Sequence, residues 1–591
     1  PDVREVYRNE LFPNKSINMQ EANTLNVLNL AYYPNERGPY NLDPSLDNDG
    51  KLLDPRSRWG GMMRRLENSD FETSNIEYIE FWMLDPFIKA RDNGTTFDGD
   101  LYFNLGEISE DILKDGKKFY ESGLPVNDDP TQFTETIWGR VPTQSSVTYA
   151  FNTSSGSRQK QDVGFNGLTS EQERDYPAYA QFLAAVQGKV RGEVYDSLLA
   201  SPSADKYHYF RGSDYDLAQR SILDRYKYIN NPNGNSVDSD HSPESYSTAY
   251  KTTPDVEDLN QDYTLNEYEK YYQYRVHIAE EDMQVGRNYI VDKRVANVKT
   301  RDNNRRDYTW YLFRIPVDQY EKKVGGINDF SSIRFMRVFM TGFEKPVVLR
   351  LATMNLVRGE WRGYEQALYQ GSAPETSGTL AVSAVSFEEN NDKEPVNYIL
   401  PPGISRVQDP GQTQILQNDE QSLALTVKDL SPGDARAVYK NTTLDLRRYK
   451  HIQLFTHANT VPGADEVQDG QMSLFVRFGS DYKSNFYEYE IPLKITPAGK
   501  YADNNTNALI VWPESNMLDI DLSVLTDVKR NRNKQKSLGL ASYSQAYSEF
   551  DPAKPANKVT VMGNPTLGEE RTMMIGVRNN SRRVQNVEIW A

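Results

Sequence analysis

The run Ile76-Glu77-Tyr78-Ile79-Glu80-Phe81-Trp82-Met83-Leu84 alternates apolar and polar positions, then turns wholly apolar. A period of two predicts a strand buried on one face, and the apolar end predicts burial on both. Asp85-Pro86 closes it, because proline brings no N–H to a ladder. A second strand is expected at Leu101–Gly106, and others at Tyr308–Ile315, Ile333–Phe339 and Val347–Val357. Beyond 379 the pattern predicts nearly unbroken β: 379–387, 421–428, 451–457, 471–478, 485–493, 507–512, 558–562, 571–578 and 586–590.

Residues 125–305 break this rhythm and read as a polar, partly helical insertion. Ser170-Glu171-Gln172-Glu173 fits a capping box. Tyr179, Phe182, Leu183, Val186 and Val190 follow at helical spacing. A second helix is expected around 213–228, with Leu217, Ile222, Leu223 and Tyr226; Glu267–His277 fits helix or strand. The resulting plan is mainly β. Residues 1–58 form an extended arm, and 59–373 a β-sandwich interrupted by 125–305. Residues 363–378 look like a linker, and 374–591 form a second β-sandwich region. Asp70-Phe71, Asp329-Phe330 and Asp445-Leu446 each precede an apolar strand. That recurrence suggests related jelly-roll or galactose-binding-like sandwiches, although any sandwich core yields such alternation.

Composition narrows the chemistry. The 591 residues include no cysteine, which excludes disulfides, thiolate nucleophiles, Cys-ligated zinc and iron–sulfur clusters. The formal charge of −17 argues against a nucleic-acid partner. Mean hydropathy is −0.72, and no apolar run approaches the roughly 18 residues of a membrane helix. Pro1 is followed by no signal segment, so a mature chain or a fragment is expected. Tyrosine (38) outnumbers Phe (23) and Trp (7), which suits half-buried strands.

The sharpest local motif is Asp258-Leu259-Asn260-Gln261-Asp262-Tyr263-Thr264-Leu265-Asn266-Glu267-Tyr268-Glu269. An EF-hand-like calcium loop takes hard oxygens at positions 1, 3, 5, 7, 9 and 12. Those positions are Asp258, Asn260, Asp262, the Thr264 carbonyl, Asn266 and Glu269, and Leu265 is the apolar anchor. Tyr263 stands where the pattern wants glycine, and Pro254 argues against a full entering helix. The other reading is a solvated acidic turn. Asp47-Asn48-Asp49-Gly50 is weaker, since Arg56 holds its twelfth position.

No pair among His208, His241, His277, His451 and His457 has zinc spacing. No nucleophile elbow, Walker loop or dinucleotide fingerprint is present. No catalytic residue or cofactor-binding residue is singled out, and a non-enzymatic protein is expected. Trp59, Trp138, Trp361 and Trp512 lie near expected strand ends, where they could form a carbohydrate platform or pack in the core.

Several segments combine into a specific resemblance. They are Tyr32–Asn41, Trp59-Gly60-Gly61-Met62-Met63-Arg64, Asp70–Phe87, Leu101–Asp111, Leu356–Arg362, Phe486–Leu493 and Met562-Gly563-Asn564-Pro565. Together they resemble the SprA/Sov family, the outer-membrane translocon of the type IX secretion system of Bacteroidota. The resemblance runs from about residue 30 to 591, and the acidic loop sits within it.

It implies a portion of a giant outer-membrane β-barrel that moves folded cargo to the cell surface and supports gliding motility. Implied partners are the remainder of the barrel, a PorV-type outer-membrane protein, a periplasmic plug protein and cargo bearing a C-terminal signal. The chain is much shorter than such a translocon and ends within an expected strand, so an excised piece is expected. Glu488, Glu490, Arg334, Arg337, Asp445 and Arg447 interrupt would-be lipid-facing positions, where Arg or Lys costs roughly 2–4 kcal/mol near the midplane. The chain is therefore expected mainly outside the membrane span, at the cell surface or the periplasmic face. A cell-surface glycan-binding module, attached or not to a hydrolase, is the alternative.

Overall fold

The computed structural model describes residues 3–591 except 16–21, 145–147, 239, 301–302, 365, 367, 369–377, 407–418 and 569. Two five-stranded antiparallel sheets make the first sandwich. One runs in the order Ile290–Lys299, Arg305–Pro316, Ile76–Leu84, Val347–Arg358, Val27–Tyr32. The other runs Lys322–Val324, Lys270–Ile278, Gly99–Glu107, Phe335–Thr341, Trp59–Arg65. Their inner faces share one apolar core. Phe81 bridges it, stacked on Phe313 of its own sheet at 5.1 Å and tilted against Phe103 of the other at 5.5 Å.

The strand Ile76–Leu84 shows why its pattern changes halfway. Ile79, Phe81 and Met83 enter the sandwich core, whereas Trp82 and Leu84 face outward. That outer face is covered by Val6, Leu11 and Phe12 of the N-terminal arm. The arm is not extended throughout, since Arg8–Leu11 is a helical turn, and its strand Val27–Tyr32 pairs with Val347–Ala352 as an edge strand. Glu267–His277 resolves as the strand Lys270–Ile278, so this strand and Ile290–Lys299, both inside the expected insertion, are sandwich members.

The second region joins a seven-stranded antiparallel sheet to a four-stranded one. Thr379–Ser386, Gln421–Leu430, Gln585–Trp590 and His457–Thr460 form the smaller sheet. Val427, Val587 and Ile589 from it meet Val476, Tyr489 and Val577 from the larger one. No described sheet closes into a barrel. The expected linker 363–378 lies largely outside the described residues.

Several expectations are corrected. The segment 507–512 is not a strand but the helix Asn505–Val511. Asn504 caps it by accepting the Asn507 N–H at 2.9 Å, and burial of Ala508 and Val511 follows helical spacing. The segment 451–457 splits. His451–Leu454 pairs with Leu518–Asp521, while His457–Thr460 pairs with Gln585–Trp590. Nor is the β character unbroken, because Leu522–Ser537 is a helix.

The capping box sits one residue earlier than expected. Thr169 accepts the Gln172 N–H at 3.3 Å, and Gln172 accepts the Thr169 N–H at 2.9 Å. Pro177 then divides the helix into Ser170–Asp175 and Pro177–Val186, since the residue before proline avoids the α region. The 213–228 helix reduces to two short ones, Ser213–Leu217 and Ile222–Arg225; Leu217 is 87% exposed, so no core stripe holds them together.

Gly576 has a packing reason. A Cβ there would lie 2.2 Å from the Phe475 ring on the neighbouring strand. Gly576→Ala is expected to cost about 1–3 kcal/mol through overpacking, read as a lower urea midpoint.

Candidate functional site

Between the sandwich strands Gly99–Glu107 and Lys270–Ile278 the chain makes a long excursion with only small apolar clusters. Buried carboxylates pin it instead. Glu121, fully buried, accepts the backbone N–H groups of Val163 at 3.1 Å, Gly164 at 2.8 Å and Asp255 at 2.8 Å. Asp255 accepts from Asn235 at 2.7 Å and pairs with Lys251. Glu173 accepts from Asn166 at 2.7 Å and Ser203 at 3.1 Å. Asp205 receives the Tyr40 hydroxyl at 2.9 Å, tying the arm to the excursion. Glu257 accepts from Ile112 and Leu113. The bonds from Val163, Gly164, Asp255, Ser203, Ile112 and Leu113 satisfy backbone N–H groups, and the rest tie side chains of the excursion together.

Burial pushes four acids here up: Glu121 well above the carboxylate range, Glu173 and Asp162 (which accepts the Ser236 N–H at 2.8 Å) to about 7, and Glu257 to about 8. An acid whose folded pKa is raised holds its proton more tightly when folded. Its stabilising contribution is whole below the unfolded value near 4.3 and is lost as pH rises through the folded one. Amide exchange of 108–269, corrected for intrinsic rates, is therefore expected to quicken between pH 5 and 8. Unchanged protection would refute the arrangement. Glu121→Gln, which turns a donor toward backbone donors, should cost about 1–3 kcal/mol and open the same segment to protease.

The acidic loop lies at the excursion's end. Asp258 is buried and accepts the N–H groups of Asp262 at 3.2 Å and Tyr263 at 2.8 Å, and the Tyr120 hydroxyl at 3.1 Å. Asn260 accepts the Asp262 N–H at 2.9 Å, and Asp262 accepts the Thr264 N–H at 2.8 Å. Tyr263 adopts φ +66°, the left-handed turn that glycine usually supplies. Glu110, which the sequence did not single out, accepts from Leu259, Asn260 and Asn266 and gathers the loop.

Asn266 is spent on the Ile108 carbonyl and the Tyr268 N–H. Glu269 leaves the group entirely and grips Arg337 through two bonds of 3.1 Å. The structure thus brings Asp258, Asn260, Asp262 and Thr264 into one turn without assembling the six-ligand shell. Among the described residues no group of three or more histidine or carboxylate side chains is placed to hold a metal. Asp47 caps its own turn, accepting from Asp49 and Lys51.

The two sandwiches meet through polar contacts. The Val382 N–H donates to the Tyr78 hydroxyl at 2.7 Å. Arg294, 3% exposed, donates to Asp392 at 3.1 Å and to the Glu389 carbonyl at 2.5 Å. Beside this junction a cleft of about 810 Å³ is lined by Glu77, Tyr78, Arg362, Tyr364, Tyr439 and Tyr482. Burial pushes Glu77 up to about 7.

Three of the five histidines make contacts within the sandwiches. His277 bonds Asp100 at 2.8 Å, His451 bonds Asp519 at 3.1 Å, and His457 is buried against Trp590. The four tryptophans do not form one platform. Trp512 is 2% exposed and donates to the Ile399 carbonyl, Trp361 packs on the second core, Trp138 is half-buried, and Trp59 is 74% exposed.

No helix among the described residues is long and apolar enough to cross a membrane. No curated protein matches the chain. A family model described as "Motility related/secretion protein", SprA_N, matches residues 181–591. That stretch takes in the end of the excursion with its acidic loop, the Arg294 junction and the whole second sandwich region, and so the chain belongs to the SprA/Sov family of motility and secretion proteins.

Proposed function

We propose that this chain is a non-enzymatic portion of the type IX secretion translocon, helping to form, cap or brace the outer-membrane conduit for folded cargo. The observation that carries this reading is the family match over 181–591. Charged pairs on and beside the strands support a place outside the acyl chains, although Asp445 and Arg447 lie on the short helix Leu446–Arg448 and its cap rather than on a strand as expected. Arg337 pairs with Glu269 at 3.1 Å, Arg447 with Asp445 at 2.9 Å, and Glu488 with Arg477 at 2.6 Å. In this reading the sandwiches are jelly-roll or galactose-binding-like domains of a giant barrel protein. They stand at the cell surface or periplasmic face and dock a PorV-type partner and a plug protein.

The test is an in-frame deletion of 59–373 in the parent gene. Cargo with the C-terminal signal should be retained inside the cell and gliding lost; normal secretion would overturn the reading. Calcium at the 258–269 loop is a separate proposal. Calcium should raise the melting temperature, and Asp258→Ala or Asp262→Ala should remove the rise. A glycan-binding module has the exposed Trp59 in its favour, and a glycan array that detects a Trp59-dependent ligand would support it.

A further inference from the structure

The helix Leu522–Ser537 carries Lys529, Arg530, Arg532, Lys534 and Lys536 against the single acid Asp527, in a chain of net charge −17. Leu522, Leu525 and Val528 seat it on the second core, and Arg532 falls on that same buried stripe. Its residue exposure is 0%. The Nε donates to Asn533 Oδ1 at 2.9 Å, but neither Nη1 nor Nη2 has a hydrogen-bond partner among the described residues. A buried charge is ordinarily paired, because an uncompensated one is costly.

The neighbours deepen the imbalance. The Arg532 guanidinium lies 4.6 Å from the centre of the Tyr543 ring, and the Lys536 ammonium lies 3.6 Å from the same centre. Lys529 donates to the Pro565 carbonyl at 2.6 Å, and burial and then the nearby Arg532 hold it below the ordinary lysine value. The nearby acids are engaged elsewhere. Asp527 pairs with Arg530 at 2.7 Å, and Glu549 accepts from Asn531 at 3.0 Å and Tyr547 at 2.7 Å. Tyr543 is itself 43% exposed, so a surface ring lies against the buried guanidinium.

We propose that Arg532 is the centre of an oxyanion site of the phosphate class, with Lys529 and Lys536 flanking it and Tyr543 as its cover. Two unpartnered Nη groups on one planar guanidinium match bidentate oxyanion geometry. Arg532 and Lys536 against one tyrosine ring, with Lys529 beside Arg532, favour a multiply charged phosphate over a single carboxylate. The phosphate can be free or carried on a lipid headgroup. This site is independent of the translocon reading.

The test is thermal melting of the whole chain in chloride and in inorganic phosphate at equal ionic strength. At a hundredfold excess over Kd, bound phosphate should raise the melting temperature by about 3–6 °C. Phosphate also stabilises proteins generically, so the site is read as the part of the shift that Arg532→Met removes. The same variant should melt higher than wild type in phosphate-free buffer, because it deletes an uncompensated buried charge. A full phosphate shift retained in Arg532→Met would overturn the proposal.

Lys536→Gln, at an exposed position, covers the case in which Arg532→Met fails to fold. It should weaken phosphate binding by about three- to tenfold, and unchanged affinity would overturn the proposal. Flotation with phosphatidic acid vesicles against phosphatidylcholine vesicles separates the sources. Arg532-dependent flotation assigns a lipid-borne phosphate. A melting shift without flotation assigns a free one.

Discussion

Glu488→Ala is expected to destabilise the second sandwich region by about 3–5 kcal/mol. Glu488 lies on the face of the seven-stranded sheet opposite the core, where Arg477 donates to it at 2.9 and 2.6 Å. Arg578 donates to it at 3.3 Å and to Glu490 at 2.5 Å. All four side chains are less than a tenth exposed as residues. The guanidiniums also bracket aromatic rings: Arg578 lies 4.6 Å from the Phe475 centroid and Arg477 3.9 Å from that of Phe486. Removing Glu488 leaves two buried cations with one carboxylate, and the loss follows from that stranded charge more than from the bonds themselves.

Burial pushes Glu488 up, but Arg578 and Arg477 outweigh it and hold the carboxyl below its ordinary value. An acid with a depressed folded pKa stabilises above its unfolded value near 4.3, and that stability is lost as pH falls through the folded one. An acid titration should show this loss below about pH 4 in the wild type and not in Glu488→Gln. A Glu488→Ala change under about 1 kcal/mol in urea unfolding would sink the account.

The second large effect is Trp590→Ala, expected to cost about 3–5 kcal/mol. Trp590 is fully buried, stacks on His457 at 3.9 Å, and meets Tyr398 at 5.5 Å and Trp512 at 6.0 Å. Its Nε1 donates to Glu588 at 2.6 Å, and Lys393 donates to the same carboxylate at 2.8 Å. The indole therefore ties the four-stranded sheet to the helix Asn505–Val511. Within the cluster, burial pushes His457 down to about 4. The unfolded chain, with a value near 6.5, takes the extra proton between those limits. Stability is whole above about pH 6.5 and falls as pH drops toward 4, by about 3 kcal/mol in total. His457→Phe should flatten that window, and a wild type with no slope there would refute the buried neutral imidazole.

Period-two strands with a strong apolar face were the most legible elements, because alternation and burial are the same fact seen twice. Ile76–Leu84 even announced its two environments, although only the structure shows that Val6, Leu11 and Phe12 supply the second. The apolar run Ala508–Val511 was illegible because four residues fit either period, and the cap at Asn504 decides between them. The helix Leu522–Ser537 was hidden because its buried stripe spends one turn on an arginine. The acidic loop was visible as spacing. Its fate was not, because Glu110 and Arg337 come from distant strands or turns and compete for the loop's groups.

The pairing of Val27–Tyr32 with Val347–Ala352 has a consequence for the order of assembly. Asn29 and Arg350, bonded at 2.8 Å, are 321 positions apart in the chain. Closing so long a loop carries an entropic cost before any contact rewards it, and non-local pairing of this kind slows folding. The first sandwich thus has an open flank until residue 352 is available. The carboxylate-pinned excursion can meanwhile condense on nearer contacts, so the late step is the docking of an edge strand, and its exposed neighbours are the places where an incomplete chain would seek a substitute partner.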